Sequence, residues 1–336
     1  MDRDEVAAVI DTLRGRNLLT LDELSDRAIL EVLDTAELFV EVNQRTIKKV
    51  PALKGRVVAS LFYEESTRTR LSFETAAKRL SADVLSLAVA SSSVKKGESL
   101  RDTIATIDAL GIDAVVLRHH SSGAAHQVGG YVPHVRVINA GDGQHQHPTQ
   151  GLLDVFTVRQ VLAERERARG SETGKELFAG LRVLIVGDLR HSRVARSDVA
   201  AYSALGAEVR VAAPGTLLPT AVDDWPVEVV EDFDDALAWA DVVGVLRLQR
   251  ERGSGSFVPS LAEFTRTFGL TVERARRLKP DAIIMHPGPM NRGVEIDSSV
   301  ADLPSAVIER QVSNGVPIRM AVLYLSVTGD PQESSS

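Results

Sequence analysis

Seven short runs of apolar, mostly β-branched residues, spaced along the chain with helix-length stretches between them, constrain the fold more than any other feature. They are Val57 to Phe62, Ala114 to Leu117, Val135 to Ile138, Val183 to Val186, Val209 to Ala212, Val242 to Leu246 and Ala282 to Met285. A strand buried on both faces reads as such a run, and parallel strands need a crossover between them that is usually a helix. The rhythm therefore predicts an α/β fold built on open parallel sheets. At 336 residues the chain exceeds what one core usually organises, and a hydrophobic fraction of 44% supplies enough apolar material for two domains. The Arg- and Glu-rich stretch from Val161 to Glu176 reads as the solvated end of a long helix followed by a loop, and a boundary lies near it. One unit is placed at 1–150 and a second at 151–304. The last apolar helix, Ile318 to Val327, can pack on either unit, and residues 305–328 are assigned to the first. The tail at 329–336 reads as disordered.

Charge and composition remove several classes of function. With 39 Lys and Arg against 46 Asp and Glu, the net charge of -7 disfavours nonspecific binding to nucleic acid or anionic membrane. The apolar runs are too short to cross a bilayer, and the start MDRDEVAAVIDTLRGRN lacks the basic and apolar regions of a signal peptide, so a cytoplasmic protein is expected. The absence of cysteine excludes a disulfide, a thiolate nucleophile or a zinc–thiolate site.

In open parallel sheets, ligands bind beyond the carboxyl ends of the strands. Polar residues stand at those ends here: Arg118 after AVVL, His147 in the loop after VRVIN, Arg193 after VLIVGD, Arg247 after VVGVL and His286 after AIIM. Taken together they point to one cleft between two domains. After the first run comes EESTRTRLSFETAAKRL, in which Phe73, Ala76, Ala77 and Leu80 repeat at helical spacing, so a helix begins near Ser66. Ser66 is a good N-cap, and Thr67, Arg68 and Thr69 occupy a first turn whose amides lack internal partners. Such a turn suits a phosphate, because oriented amides, hydroxyls and a guanidinium all donate to it. The plain alternative is a capped helix with solvated arginines, but arginines at a helix N-terminus oppose its dipole unless an anion compensates.

The stretch FYEESTRTRLSFETAAKRL resembles the carbamoyl-phosphate signature of the aspartate and ornithine carbamoyltransferase family. Further motifs of that family follow in order: SSSVKKGESLRDT, VVLRHH, NAGDGQHQHPTQGLLDVFT, VGDLRHSRVARS, VLRLQRER and HPGPMNRGVEID. The resemblance spans roughly residues 50–325. It implies that Ser66, Thr67, Arg68, Thr69 and Arg118 hold the phosphate, that Thr69, Arg118 and His147 converge on the carbonyl oxygen, and that Gln150 takes the carbamoyl amide. It also implies that the loop with Ser93 and Lys96 reaches the site of a neighbouring subunit in a homotrimer; the repeated serines leave Ser92 as an alternative to Ser93. Arg193 is implied for the α-carboxylate of the amino acid, Arg247 with Gln249 for its side-chain carboxylate, and Pro287 and Gly288 for backbone carbonyls that meet the substrates. Arg252, Glu64 and Arg193 would form an ionic cluster closing the domains, with Arg250 at the surface. No metal or cofactor is implied, and a nicotinamide cofactor is disfavoured because the GD turn at Gly187 lacks GxGxxG.

Relatives that use ornithine carry HCLP where this chain has HPGP, together with an SMG triplet absent here, so aspartate is favoured. The expected reaction joins carbamoyl phosphate and L-aspartate to give N-carbamoyl-L-aspartate and phosphate, the second step of de novo pyrimidine biosynthesis. Two rivals remain: a sister transferase for another amino acid such as ornithine, and a silent anion-binding scaffold subunit. The resemblance leaves open a regulatory chain or a dihydroorotase partner.

Overall fold

In the computed structural model, which describes residues 9–88, 99–168, 175–249 and 257–329, each of the seven runs contributes to a parallel strand. The chain divides into two compact units, Met1–Leu152 with Asn314–Ser336, and Leu153–Ser313. In the first unit the order is α1 (Asp26–Gln44), β1 (Val57–Phe62), α2 (Thr67–Arg79), β2 (Asp83–Ala88), α3 (Leu100–Ala109), β3 (Ala114–His119), α4 (Ala124–Tyr131) and β4 (Arg136–Asp142). Helix α5 (Pro148–Ala168) then carries the chain into the second unit. There follow β5 (Arg182–Val186), α6 (Arg193–Ala204), β6 (Glu208–Ala212), β7 (Glu228–Val229), α7 (Phe233–Trp239), β8 (Val242–Val245), α8 (Leu261–Phe268), α9 (Val272–Ala275), β9 (Ile283–Met285) and α10 (Ser298–Ala301). The last helix, α11 (Ile308–Thr328), is shared: its start belongs to the second unit, and Asn314 onward belongs to the first.

The first unit holds a four-stranded parallel sheet in the order β2-β1-β3-β4, and the second a five-stranded parallel sheet in the order β7-β6-β5-β8-β9. β-Branched and apolar strands are covered on both faces. In the first unit Ala59, Leu61, Val115, Leu117 and Val137 pack with Ile104, Ile107, Ala125 and Val128. In the second, Leu184, Val186, Val243 and Val245 pack with Phe233, Leu237, Ile296 and Val300. Helix α2 buries the face that its spacing predicts, with Phe73, Ala76, Ala77 and Leu80 at 1% exposure or less. Its last turn carries Lys78 and Arg79, which complement the negative end of the helix dipole. From Asn314 onward, α11 packs on the first unit: Leu325 accepts a hydrogen bond from the Gly15 amide (3.0 Å), Arg319 donates to the Ser72 hydroxyl (2.9 Å), and the Tyr324 ring meets Phe39 edge-on. Among the described residues no helix is long and apolar enough to cross a membrane.

Two strands lie outside the seven runs. β2, DVLSLA, is broken by Asp83 and Ser86 and is largely exposed, and β7 is two residues long and exposed. Both are edge strands, where only one side pairs and continuous apolar character is not required.

Candidate active site

A doubly wound sheet offers its ligand site where the strand order reverses, because the loops leaving two neighbouring strands there diverge to opposite faces. In the first unit that point lies between β1 and β3, which pair in parallel with Phe62 opposite Arg118. The Tyr63 amide donates to the Arg118 carbonyl at 2.9 Å, so the turn into α2 leaves the sheet beside the Arg118 side chain. Ser66 stands at the N-cap, but its hydroxyl makes no capping bond, which corrects its expected capping role. Its extended backbone (φ -162°, ψ 89°) starts the helix without a side-chain cap. Thr67 and Arg68 are exposed there, and Thr69 is buried at 9%. Arg118 lies within β3 rather than just after it. Its guanidinium donates to the Ala140 carbonyl at 3.2 Å and pairs with Glu64 at 3.2 Å. Glu64 thus pairs with a cation of its own unit, because β1 and β3 end side by side; its expected cluster with Arg193 and Arg252 involves Arg252, which lies outside the described residues.

His147 is buried, and it directly precedes Pro148, which opens α5. A proline is tolerated there because the first helical amide has no partner to lose. The Gln150 amide donates to the His147 carbonyl at 2.8 Å, so His147 and Gln150 bracket one turn. What fixes this turn was not read from the sequence. Asp142, fully buried, accepts from the Gln146 amide (3.1 Å), the Gly123 amide (2.7 Å) and the Asn139 side chain (2.8 Å), and the His145 ring lies 3.2 Å away. Burial alone would raise its pKa; the donors, led by His145 and Asn139, outweigh it and hold the carboxyl below its ordinary value. The N-terminal segment braces the same turn. The Leu18 amide donates to Val137, the Asn139 amide donates to Leu18, and the Gln146 side chain donates to Asp22 at 2.9 Å. The signal for this was a loop dense in Asp, Asn, Gln and Gly, which marks hydrogen-bonded turns without naming their partners.

In the second unit the order reverses between β5 and β8, with Val186 paired to Val245. Beyond β5 the chain turns at Gly187, whose φ of +127° suits glycine, and a Cβ there would lie 2.6 Å from the Leu246 carbonyl oxygen. Ser192 caps α6 by accepting from the Ala195 amide at 3.1 Å, and Arg193 is the first helical residue, 3% exposed. Asp188 ties the two loops together. It accepts from the His191 ring at 2.8 Å and from the Gln249 amide at 3.1 Å, so the segment with Arg247 and Gln249 is fixed against the turn that leads to Arg193. Arg247 and Gln249 are half-buried.

After β9, His286 is buried, and the Gly288 amide donates to its Nδ1 at 2.8 Å. That bond leaves Nε2 to carry the proton toward Glu295, 3.2 Å away. Glu295 also accepts from the Asn291 amide at 2.6 Å, and the Asn291 side chain donates to the Leu248 carbonyl at 3.2 Å, so the HPGP loop is joined to the Arg247 segment. Gly288 has a φ of +62°. Ser92, Ser93, Lys96, Arg250 and Arg252 lie outside the described residues. Among the described residues no three or more His, Cys, Asp or Glu side chains are grouped to hold a metal ion.

Each unit thus presents guanidinium groups at its own switch point, a chemistry suited to phosphate on one side and carboxylate on the other. Residues 16–160 match the family described as aspartate/ornithine carbamoyltransferase, carbamoyl-P binding domain, and residues 179–326 match its Asp/Orn binding domain. The chain belongs to the aspartate/ornithine carbamoyltransferase family. Within that family it is 53% identical over 327 residues to the aspartate carbamoyltransferase catalytic subunit of Micrococcus luteus, covering 94% of this chain and 99% of that one. It is 51% identical to the corresponding subunit of Thermobifida fusca, covering 94% and 96%. Among solved structures, it matches aspartate transcarbamoylase from Trypanosoma cruzi in complex with N-(phosphonacetyl)-L-aspartic acid with a TM-score of 0.82 at 29% identity, covering 96% and 98%. Ornithine carbamoyltransferase from Pyrococcus furiosus gives the same TM-score of 0.82 at 29% identity, covering 96% and 100%. Family likeness in shape therefore does not separate the two amino-acid substrates.

Proposed function

We propose that this carbamoyltransferase transfers the carbamoyl group of carbamoyl phosphate to the amino group of L-aspartate. The observation that carries the reading is a pair of buried or half-buried arginines, Arg193 and Arg247, at one switch point, on segments that Asp188 joins through His191 and Gln249. Two guanidinium groups match a dicarboxylic amine, whereas ornithine would bring a second ammonium. The identity above 50% to proteins named aspartate carbamoyltransferase catalytic subunit supports the same choice.

In this reading the first unit binds carbamoyl phosphate. The open turn at Ser66, Thr67, Arg68 and Thr69 takes the phosphate with Arg118, and Gln150 takes the carbamoyl amide. The second unit binds aspartate, with Arg193 on the α-carboxylate, Arg247 and Gln249 on the side-chain carboxylate, and the Pro287 and Gly288 carbonyls facing the substrates. The amine attacks the carbamoyl carbon, the C=O electrons move onto oxygen, and collapse of that tetrahedral oxyanion breaks the C–O bond to phosphate. The amine proton leaves with the departing phosphate. Thr69, Arg118 and His147 donate to the oxyanion. Holding two small substrates in attacking geometry can supply about 7–11 kcal/mol of the barrier.

Lys96 and Ser93 complete the site of a neighbouring subunit in a homotrimer of a soluble cytoplasmic enzyme. Mixing Lys96→Ala and His147→Ala proteins under conditions that exchange subunits would then restore activity that neither has alone. Assays with aspartate, ornithine and related amines test the substrate. Tight binding of N-(phosphonacetyl)-L-aspartic acid in calorimetry is expected together with turnover of aspartate, and absence of aspartate turnover overturns the reading.

A further inference from the structure

Behind the HPGP loop, the second unit holds two acidic side chains that the proposed chemistry does not use. Asp154 on α5 and Asp198 on α6 are buried at 3% and 7% exposure, and both line one small cavity. Two ionised carboxylates in so small a buried space repel each other and burial disfavours both charges, so one of them carries a proton. The neighbours decide which. The Gln311 side-chain amide donates to Asp154 Oδ1 at 2.7 Å, so Asp154 is the accepting carboxylate and Asp198 the acid. Asp198 Oδ1, buried and without a hydrogen-bond partner among the described residues, fits the carbonyl oxygen of that acid.

The same glutamine reaches the loop. Its side-chain oxygen accepts from the His286 amide at 3.0 Å, and His286 in turn accepts from the Gly288 amide. A cavity of about 10 Å³, room for about one water molecule, is lined by Asp154, Asp198, Tyr202, His286, Pro287 and Gln311, among others. We infer that Asp154 and Asp198 are positioning residues that share one proton and, through Gln311, hold the main chain of His286 and so the Pro287 and Gly288 carbonyls. The inference rests on the reading of those carbonyls as substrate contacts.

The groups that face the pair are Tyr202 from α6, Gln311 from α11, and His286 with Glu295 behind it; no Lys or Arg side chain lines the cavity among the described residues. Burial, the charge of Asp154 and the hydrogen bond to it all raise the Asp198 pKa, and burial with the two carboxyl charges raises that of Tyr202. Because the folded protein holds a proton that the unfolded chain has lost, the stabilisation is fully present below the ordinary value of 3.8 and is lost as pH rises through the raised value of the pair.

Asp198→Asn replaces the donating O–H by N–H without a titrating group, and Asp198→Ala removes the donor. Melting temperature and steady-state kinetics of the native protein and both variants, from about pH 5 to about pH 9, test the inference. The melting temperature of Asp198→Asn relative to native is expected to increase steadily with pH, with its substrate KM values staying within about threefold of native near neutrality. Asp198→Ala is expected to raise KM about tenfold, the loss of one buried hydrogen bond, with a smaller change in kcat. Parallel melting curves for native and Asp198→Asn across the range would overturn the shared proton. Altered stability with unchanged KM in Asp198→Ala would overturn the positioning role. A pH-dependent melting difference in a protein without aspartate turnover would retain the proton pair and refute the proposed function instead.

Discussion

His147 and Gly187 illustrate how differently single residues serve a site. His147 offers a donor from a buried position that the first helical turn of α5 and the Asp142 network hold in place. Its proposed role belongs to the transition state, so His147→Ala should lower kcat by about 100- to 1,000-fold, the usual loss for one preorganised donor. Binding of phosphate or of a phosphonate ligand, followed by calorimetry, should weaken far less; equal losses in both would remove His147 from the chemistry. Gly187 contributes only backbone. A methyl group there would meet the Leu246 carbonyl oxygen at 2.6 Å, in a conformation that L-residues avoid. Gly187→Ala should cost about 1–3 kcal/mol of stability in urea unfolding. Arginines at strand ends were legible because charge interrupts an apolar run in plain view. Asp142, Asp188 and Glu295 were not, because each is held by a mixture of near neighbours and distant groups, such as Gly123 for Asp142 and Gln249 for Asp188, that no periodic pattern reveals.

At the level of elements, strand order does most of the placing. Seven strands were legible from their apolar, β-branched composition, and β2 and β7 were missed because an edge strand need not be apolar throughout. The start of α2 was read within a residue, yet the reason given for it was incomplete: Ser66 opens the helix without a side-chain cap. Helix α6 behaves in the opposite way, since Ser192 does cap it and thereby sets the orientation of Arg193. Ser192→Ala should remove about 1 kcal/mol from stability. It should also raise KM for aspartate more than KM for carbamoyl phosphate in initial-rate kinetics; an equal rise in both would detach the cap from the amino-acid half of the site.

Across the whole molecule, the chain passes between its two units in α5 and α11. The first unit is completed by Asn314 onward, which contributes the bonds to Gly15 and Ser72 and the ring contact with Phe39. A protein ending at Ser313 should therefore lose amide protection in β1 to β4 by hydrogen exchange while β5, β6 and β8 remain protected; retained protection in β1 would show that the last helix is dispensable. The discontinuity also sets an order of events during synthesis. A nascent chain leaving the ribosome can close its second unit once residue 313 has emerged, whereas the unit begun first must wait for Arg319 and Leu325. Its half-made sheet is left open to chaperones or to misassociation for longer than any other part.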